Sequence, residues 1–233
     1  MKKMSIGANG LQLTRFGFVN CYLVRESDGL TLIDTGMASS TADLILEVAK
    51  AMGGTIRRIL LTHAHVDHVG SVDALMEKLG AGIELISNAR SLPLLQKPPD
   101  KSLKPGDASG TIKGGLPGID AKPTRLLSDG EMCGSLLTID TPGHIPGHMS
   151  FFDERDGTLY AGDAFTSMGE LRVSSDSPWY FPFPKFVTWN ADVAMASAEK
   201  LLAYPVERFA NGHGAIKAGG HAALRAAIAL AKR

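Results

Sequence analysis

One short stretch of the sequence concentrates side chains that bind metal ions. His63, His65, Asp67 and His68 lie within six residues, directly after the apolar run 56–61. His63 and His65 are two residues apart, so both side chains project to one side of an extended segment. Asp67 continues this alternation and His68 follows it directly, so a tight turn there could direct both side chains at a second ion. An apolar core has no use for such a cluster, and burying it without partners would be costly. We therefore predict that these four residues bind metal.

Three more candidates lie at the ends of predicted strands. His144, Asp163 and His213 each follow a short apolar run, and each has a glycine beside it. Glycine gives the backbone the freedom to turn these side chains into a shared pocket. Imidazole and carboxylate ligands suit zinc, iron and manganese, and the lack of a nearby cysteine argues against a closed structural zinc site.

These motifs together resemble those of the metallo-β-lactamase fold hydrolase superfamily. They stand in that family's order from about residue 34 to residue 213, so the resemblance covers nearly the whole chain. It implies an α/β fold, an αββα four-layer sandwich of two mixed β-sheets flanked by helices, with the site at one edge. Besides the 63–68 cluster, the segments that carry it are Leu32-Ile-Asp34-Thr-Gly36, Thr141-Pro-Gly-His144-Ile-Pro-Gly-His148, Gly162-Asp163 and Gly212-His213.

The resemblance also implies a ligand set for two divalent metal ions. The first ion would be held by His63, His65 and His144, the second by Asp67, His68 and His213, and the bridging carboxylate would be Asp163. Zinc is the expected metal, with iron or manganese as alternatives. A bridging hydroxide would attack a carbonyl carbon. Asp67 and Asp163 would be the catalytic carboxylates, and Asp163 would also relay the proton to the leaving group.

Two residues are expected to support these ligands. Asp34 ends a very apolar strand, where a lone carboxylate is penalised, so a hydrogen bond to a ligand imidazole would explain it. Capping of the following Thr-Gly turn is an equally good explanation. His148 resembles the second histidine of the family motif, which is not a ligand, and we expect it to buttress the loop.

Several reactions fit this family. The favoured substrate is a lactone of the acyl-homoserine type or another carboxylic ester, because such lactonases resemble the chain in size, ligand set and bridging Asp163. A glyoxalase II-like thioesterase is an alternative, although only twenty residues follow His213, where those enzymes usually carry an extra helical domain. A mononuclear iron persulfide dioxygenase and a non-catalytic binding module are further alternatives.

An aromatic segment provides a candidate substrate pocket. Residues 179–189 hold six of the fifteen aromatic residues of the chain. The segment could form a pocket wall beside the metals or a contact between subunits, and both roles are compatible. The candidate pocket residues are Trp179, Tyr180, Phe181, Phe183 and Phe186.

The elements that must position these residues follow an α/β pattern. The first sixty residues predict strands and then a helix, after which strand and helix alternate, as is typical of layered α/β packing. The stretch 93–123 holds six prolines and five lysines, which predicts an irregular insertion that is either a lid or simply mobile. We expect one domain, 1–233, that carries this insertion.

Composition excludes several classes of protein. The chain has 24 Lys+Arg and 24 Asp+Glu, so it offers no general footprint for nucleic acid or an acidic membrane. The N-terminal residues lack the apolar stretch of a secretory signal, and no run reaches the roughly 18 apolar residues of a membrane span. Two distant cysteines indicate no disulfide framework. We expect a cytoplasmic protein that acts on a small molecule, without nucleic-acid or membrane partners, and leave a homodimer open.

Overall fold

The computed structural model describes every residue of the chain, 1–233, and divides into two compact units. The first unit contains residues 1–100 and 115–127, and the second contains residues 101–114 and 128–233. Residues 96–124 form no helix or strand, so the predicted insertion is irregular over most of its length. The assignment of 1–233 to a single domain stays a prediction.

The first unit is built on a seven-stranded sheet whose strands follow one another in chain order. They are β1 (Lys2–Ile6), β2 (Gly10–Arg15), β3 (Val19–Glu26), β4 (Gly29–Ile33), β5 (Ile56–Leu60), β6 (Glu84–Ser87) and β7 (Arg125–Leu126). The pairs from β1 to β4 are antiparallel, and the pairs from β4 to β7 are parallel. Six consecutive residues of β3 are buried, which explains why this strand lacks an alternating pattern.

Four helices belong to the first unit. In α1, buried Ala42, Ile45 and Val48 recur at helical spacing, so one apolar stripe faces the core while the opposite side meets solvent. The helices are α1 (Thr41–Ala51), α2 (Val66–Val69), α3 (Val72–Leu79) and α4 (Leu92–Leu95).

The carboxyl ends of β4 and β5 position the first group of polar residues. These strands are parallel neighbours with Ile33 opposite Leu60, so the residues that follow them come close together. Asp34 follows β4 directly, and Thr62 follows β5 after one further residue. Their side chains therefore meet at one edge of the sheet.

The second unit contains a six-stranded sheet and a two-stranded sheet. Its strands are β8 (Met132–Cys133), β9 (Leu136–Asp140), β10 (Met149–Asp153), β11 (Thr158–Gly162), β12 (Phe165–Thr166), β13 (Arg172–Val173), β14 (Arg208–Asn211) and β15 (Lys217–Ala218). Its helices are α5 (Phe183–Val187), α6 (Ala191–Lys200) and α7 (Gly220–Ala231). Buried residues of α6 and α7, such as Ala198 and Leu224, join Phe152, Leu159 and Phe209 of the strands in one hydrophobic core.

Strand direction in the second unit brings three chain segments to one edge. The order of the larger sheet is β15-β14-β11-β10-β9-β8. β9 and β11 are both antiparallel to β10, and β14 is parallel to β11, so β9, β11 and β14 run in one direction. His144, Asp163 and His213 follow the carboxyl ends of these three strands. The prediction of two mixed sheets combined with helices is confirmed. None of the helices has the length and hydrophobicity that a membrane span requires.

Asp73 on α3 fastens the chain where it returns from the irregular stretch. Its Oδ1 accepts hydrogen bonds from the backbone nitrogens of Asp120 and Ala121, each 2.9 Å away, and Lys97 Nζ lies 3.3 Å from its Oδ2. Burial alone would raise the pKa of Asp73, but these backbone donors and the Lys97 ammonium outweigh burial and hold the pKa below its ordinary value.

We expect Asp73→Asn to lower the free energy of unfolding by about 1 kcal/mol at pH 7, because two charge-assisted hydrogen bonds weaken. Since the folded-state pKa is lowered, this contribution is complete above the unfolded pKa of about 3.9 and disappears as the pH falls through the folded pKa. Urea unfolding at pH 7, 5 and 3 checks this. Asp43→Asn, which alters a more exposed ion pair with Lys78, should have a smaller effect. A difference as large at pH 3 as at pH 7 would contradict the assignment.

Candidate metal centre

His63 and His65 converge at the end of β5. Both side chains are buried, and Nε2 of His63 lies 3.0 Å from Nδ1 of His65. Two unprotonated nitrogens this close repel each other, so the pair requires a proton or a cation between them. Two nitrogens bound to one tetrahedral ion at about 2.0–2.1 Å would stand about 3.3 Å apart, so the pair fits a divalent cation.

The hydrogen bonds of Thr62 determine which nitrogen of His63 carries the proton. The Thr62 hydroxyl donates to Asp34 Oδ2 at 2.7 Å, so at 3.0 Å it must accept from Nδ1 of His63. Asp34 Oδ2 also accepts from Nδ1 of His68 at 2.7 Å. In both histidines Nε2 is therefore left as the nitrogen with a lone pair, which is the form that binds a metal ion.

Of the two roles that the sequence allows for Asp34, support of a ligand imidazole and capping of the following turn, the structure shows the contact with an imidazole. Besides His68, the carboxylate accepts a hydrogen bond from the backbone nitrogen of Thr62, 2.8 Å from Oδ1. Its backbone has φ 57°, a left-handed conformation that aspartate tolerates better than most residues. Positive φ at a non-glycine residue is uncommon and often marks a functional site.

Asp67 does not continue the alternation of His63 and His65, so that part of the prediction is wrong, whereas the tight turn expected at Asp67 and His68 is present. After His65 the chain turns into α2, because the backbone nitrogens of His68 and Val69 donate to the His65 carbonyl at 3.0 and 3.1 Å. Asp67 and His68 therefore share one helical turn, and Asp67 Oδ2 lies 3.8 Å from Nε2 of His68. The helical turn, and not an extended segment, therefore places the side chains of Asp67 and His68 next to each other.

The loop after Asp34 holds this helical turn in place. The backbone nitrogen and the hydroxyl of Thr35 both donate to the His68 carbonyl, at 2.8 and 2.9 Å, and the nitrogen of Gly70 donates to Gly36. A Cβ atom at position 70 would collide with the carbonyl of Met37, so only glycine allows this approach. Backbone contacts thus position His68 independently of any metal.

Asp163 lies between His144 and His213 of the second unit. Its Oδ2 is 3.5 Å from Nε2 of His144 and 3.2 Å from Nε2 of His213, and all three side chains are buried. One carboxylate oxygen that faces two ring nitrogens fits a carboxylate shared by two cations.

His148 uses both ring nitrogens for other contacts. Its Nε2 accepts from the backbone nitrogen of Asp163 at 3.0 Å, so its Nδ1 carries the proton, and this atom lies 2.9 Å from the Thr141 hydroxyl. His148 therefore positions the backbone of Asp163 instead of offering a lone pair to a metal.

Thr188 was not predicted from the sequence, yet it contacts a candidate ligand. Its hydroxyl donates to the Pro184 carbonyl at 2.7 Å and lies 3.4 Å from Nδ1 of His144, from which it can accept. The backbone nitrogen of Trp189 also donates to the His144 carbonyl at 2.9 Å. Because 44 residues separate Thr188 from His144, no local pattern could reveal this pairing.

We expect Thr188→Val to weaken metal binding about tenfold, because the hydroxyl that favours the Nδ1–H form of His144 is lost. Competition with a chromophoric chelator measures the affinity. Thr138→Val, which removes another buried hydroxyl of the second unit, is the matched control and should leave the affinity unchanged. Equal affinities for the two variants would rule out a positioning role for Thr188.

The aromatic candidates divide into buried and exposed side chains. Phe181 is buried, and its ring centroid lies 5.2 Å from that of His213. Trp179, Phe183 and Phe186 are exposed, and the Tyr180 hydroxyl donates to the Met168 carbonyl at 2.7 Å, which commits its proton within the chain. Phe181 alone of these five residues thus contacts a candidate ligand ring directly.

Known proteins resemble this chain over much of its length. The uncharacterized protein YobT of Bacillus subtilis is 45% identical over 92% of this chain and 91% of its own length. A hydroxyacylglutathione hydrolase of Rhodospirillum rubrum is 31% identical over 67% of this chain and 51% of its own length.

Solved structures share the fold. A metallo-beta-lactamase from Cronobacter sakazakii has a TM-score of 0.70 at 21% identity, covering 100% of this chain and 94% of that one. A structure described as TTHA1623 in a di-iron-bound form has a TM-score of 0.63 at 26% identity, covering 100% of this chain and 98% of that one.

The profile of the metallo-beta-lactamase superfamily matches residues 14–213, a range that includes all the candidate ligands. Membership supports a hydrolytic enzyme, and the buried histidine and carboxylate donors are its candidate metal-binding residues. With a match over most of its length and the histidine and aspartate motifs in place, this chain belongs to the metallo-beta-lactamase superfamily.

Proposed function

We propose that this protein hydrolyses an ester-type bond with two divalent metal ions, and that a lactone is the favoured substrate. The observation that carries the proposal is the position of Asp163, whose Oδ2 faces Nε2 of both His144 and His213. A carboxylate in this position is suited to two ions, since each histidine would bring one ion to the same oxygen. The proposed metal is zinc, and iron is the alternative that the di-iron-bound neighbour supports.

The donors fall into two groups of three or four side chains. In the proposed assignment, one group is His63, His65 and His144, and the other is Asp67, His68, Asp163 and His213. When bound, paired divalent ions lower the pKa of water towards neutrality and polarise a substrate carbonyl.

The remaining steps belong to the residues of this chain. Asp163 receives the proton of the attacking water and returns it to the leaving oxygen, while the bond from its backbone to His148 holds it in position. Asp34 and Thr62 keep His63 and His68 in the metal-binding tautomer. Asp67 contributes a second negative charge, but the two carboxylates would offset only part of the positive charge of two divalent ions, so the centre would stay attractive to an electron-rich carbonyl group.

A thioesterase is the second candidate, because a relative that is 31% identical is named a hydroxyacylglutathione hydrolase. Thioesters and lactones both present an activated carbonyl carbon, so the same proton transfers would serve either substrate.

A substrate panel on metal-defined protein tests the proposal. Protein purified without oxygen is analysed for zinc and iron, then assayed with a lactone, a carboxylic ester, a thioester, a phosphodiester and a β-lactam at equal concentrations. We expect two metal ions per chain and the highest kcat/KM for the lactone or ester. Preference for the thioester would select the second candidate. One iron per chain with oxygen uptake on glutathione persulfide would replace hydrolysis by oxidation.

We also propose a cytoplasmic location and a small-molecule substrate, without nucleic-acid or membrane partners. Cys21 and Cys133 are buried and form no disulfide, and burial, with a smaller effect of Asp34, raises the pKa of the Cys21 thiol above its ordinary value. Unreactive reduced thiols suit a reducing compartment. Cell fractionation tests the location, and sedimentation equilibrium tests whether the chain forms a homodimer.

A further inference from the structure

Four large aromatic side chains of the segment 179–189 project into solvent. Trp179 is 87% exposed, Phe183 and Phe186 are each 66% exposed, and Tyr180 is 56% exposed. Single exposed apolar residues are common on proteins, but a cluster of rings marks a binding surface. We call these four residues the aromatic face.

The aromatic face rests on an ordered support. The Tyr180 hydroxyl donates to the Met168 carbonyl, and the backbone nitrogen of Lys185 donates to the Ser177 hydroxyl at 2.9 Å. Trp189 is buried at the end of the segment, and the Asn190 side chain donates to the Ser109 carbonyl at 3.0 Å. The backbone that carries the exposed rings is therefore held in position before any ligand binds, which reduces the entropy lost on binding.

A series of rings connects this face to a candidate metal ligand. The centroid of Phe181 lies 5.2 Å from that of His213 and 5.6 Å from that of Phe183. The apolar surface therefore begins at a ligand ring and continues outward to an exposed side chain. Lys185 is the only charged residue between 177 and 191, so a ligand on this surface would be apolar.

We propose that the aromatic face binds the apolar acyl chain of the substrate, so that the enzyme prefers esters or lactones with a long acyl chain. This inference rests on the proposed function, because the carbonyl group must sit at the metal donors while the chain extends along Phe181 towards Phe183 and Phe186. A second copy of the chain is a poorer occupant. Four partly exposed rings offer several hundred Å² at most, whereas a stable dimer needs about 800 Å² from each partner.

Chain-length dependence tests the inference. For p-nitrophenyl esters from acetate to dodecanoate, kcat/KM of the wild type should rise about twofold per methylene group, since full burial of a methylene would give about fourfold. In the double variant Phe183→Ser, Phe186→Ser this rise with chain length should vanish. Leu126→Ser removes a partly exposed apolar side chain of the other unit and should keep the wild-type slope. Equal slopes for wild type and double variant would overturn the inference.

A binding measurement separates this inference from the proposed function. Dodecanoate, a product that needs no turnover, is titrated into His65→Ala protein while tryptophan fluorescence is recorded. The signal should saturate, disappear in Trp179→Phe, and require about tenfold more dodecanoate after the double serine substitution. Saturable binding without hydrolysis of any ester would refute only the proposed function. Hydrolysis without any such binding, or a dimer that the double substitution dissociates, would refute the acyl-chain site.

Discussion

Replacing His65 with alanine is expected to lower hydrolysis by about three orders of magnitude, equivalent to about 4 kcal/mol of activation free energy, while the fold persists. The imidazole supplies one of two nitrogens that converge within 3.0 Å, and its loss leaves His63 without its closest co-ligand. The His65 carbonyl, which accepts from His68 and Val69 to start α2, is unaffected by the substitution. The loss should therefore appear in metal content and kcat/KM, with the thermal midpoint of the metal-free protein nearly unchanged.

His221→Ala is the matched control for this variant. It removes a histidine whose Nε2 lies 2.7 Å from the Tyr204 carbonyl, outside the donor groups. We expect normal metal content and kcat/KM within a factor of two of the wild type. Full activity of His65→Ala at reduced metal content would exclude His65 from the reacting centre.

Asp34→Asn is expected to lower the free energy of unfolding by about 2–4 kcal/mol and to weaken metal binding by about 10–100-fold. The carboxylate accepts three hydrogen bonds, two from Thr62 and one from His68. An amide of the same size must turn its NH₂ group towards at least one of these donors. If it faces Nδ1 of His68, the ring must move its proton to Nε2, which removes the lone pair needed for a metal ion.

Two measurements distinguish the parts of this prediction. Urea unfolding of the metal-free protein measures the loss of stability caused by the lost hydrogen bonds. Chelator competition measures the affinity of the protein for metal. Asp28→Asn is the control, because Asp28 pairs with Arg58 in the same unit but is 53% exposed. Asp28→Asn should lower the free energy of unfolding by a smaller amount and leave the metal affinity unchanged. Unchanged metal affinity in Asp34→Asn would show that the contact with His68 is only structural.

Local pattern predicted every strand of four or more residues except β1 and β2, and it missed the two-residue strands. β2 was missed although Leu11 and Leu13 alternate with Gln12 and Thr14. In the structure Gln12 is buried, and its Nε2 and the Thr14 hydroxyl donate to Asn20 Oδ1 at 2.9 and 2.8 Å. The buried Gln12 side chain needs a hydrogen-bond partner, and that partner, Asn20, comes from the next strand. The periodicity of β2 cannot reveal a partner in another strand.

The turn at Asp67 shows a second limit of local pattern. A period of two correctly relates His63 and His65, but the helix of one turn that follows depends on tertiary contacts. Among them are the hydrogen bonds from Thr35 to the His68 carbonyl and from Val66 to the Gly115 carbonyl. A four-residue helix is too short to form from its own propensity, so the sequence indicated a tight turn at this point without specifying a helix.

The superfamily, the class of fold and the candidate ligands can all be identified from the sequence alone. The histidines and aspartates follow predicted strands at characteristic spacings along the chain, and these spacings can be recognised without coordinates. Only the tertiary structure decided which nitrogen each histidine presents, because that choice depends on Thr62, Asp34 and Thr188, and a proton's position follows from hydrogen-bond partners that are distant in sequence. It also separated Phe181, packed on His213, from the exposed rings, since burial is a property of the folded surface and not of residue type.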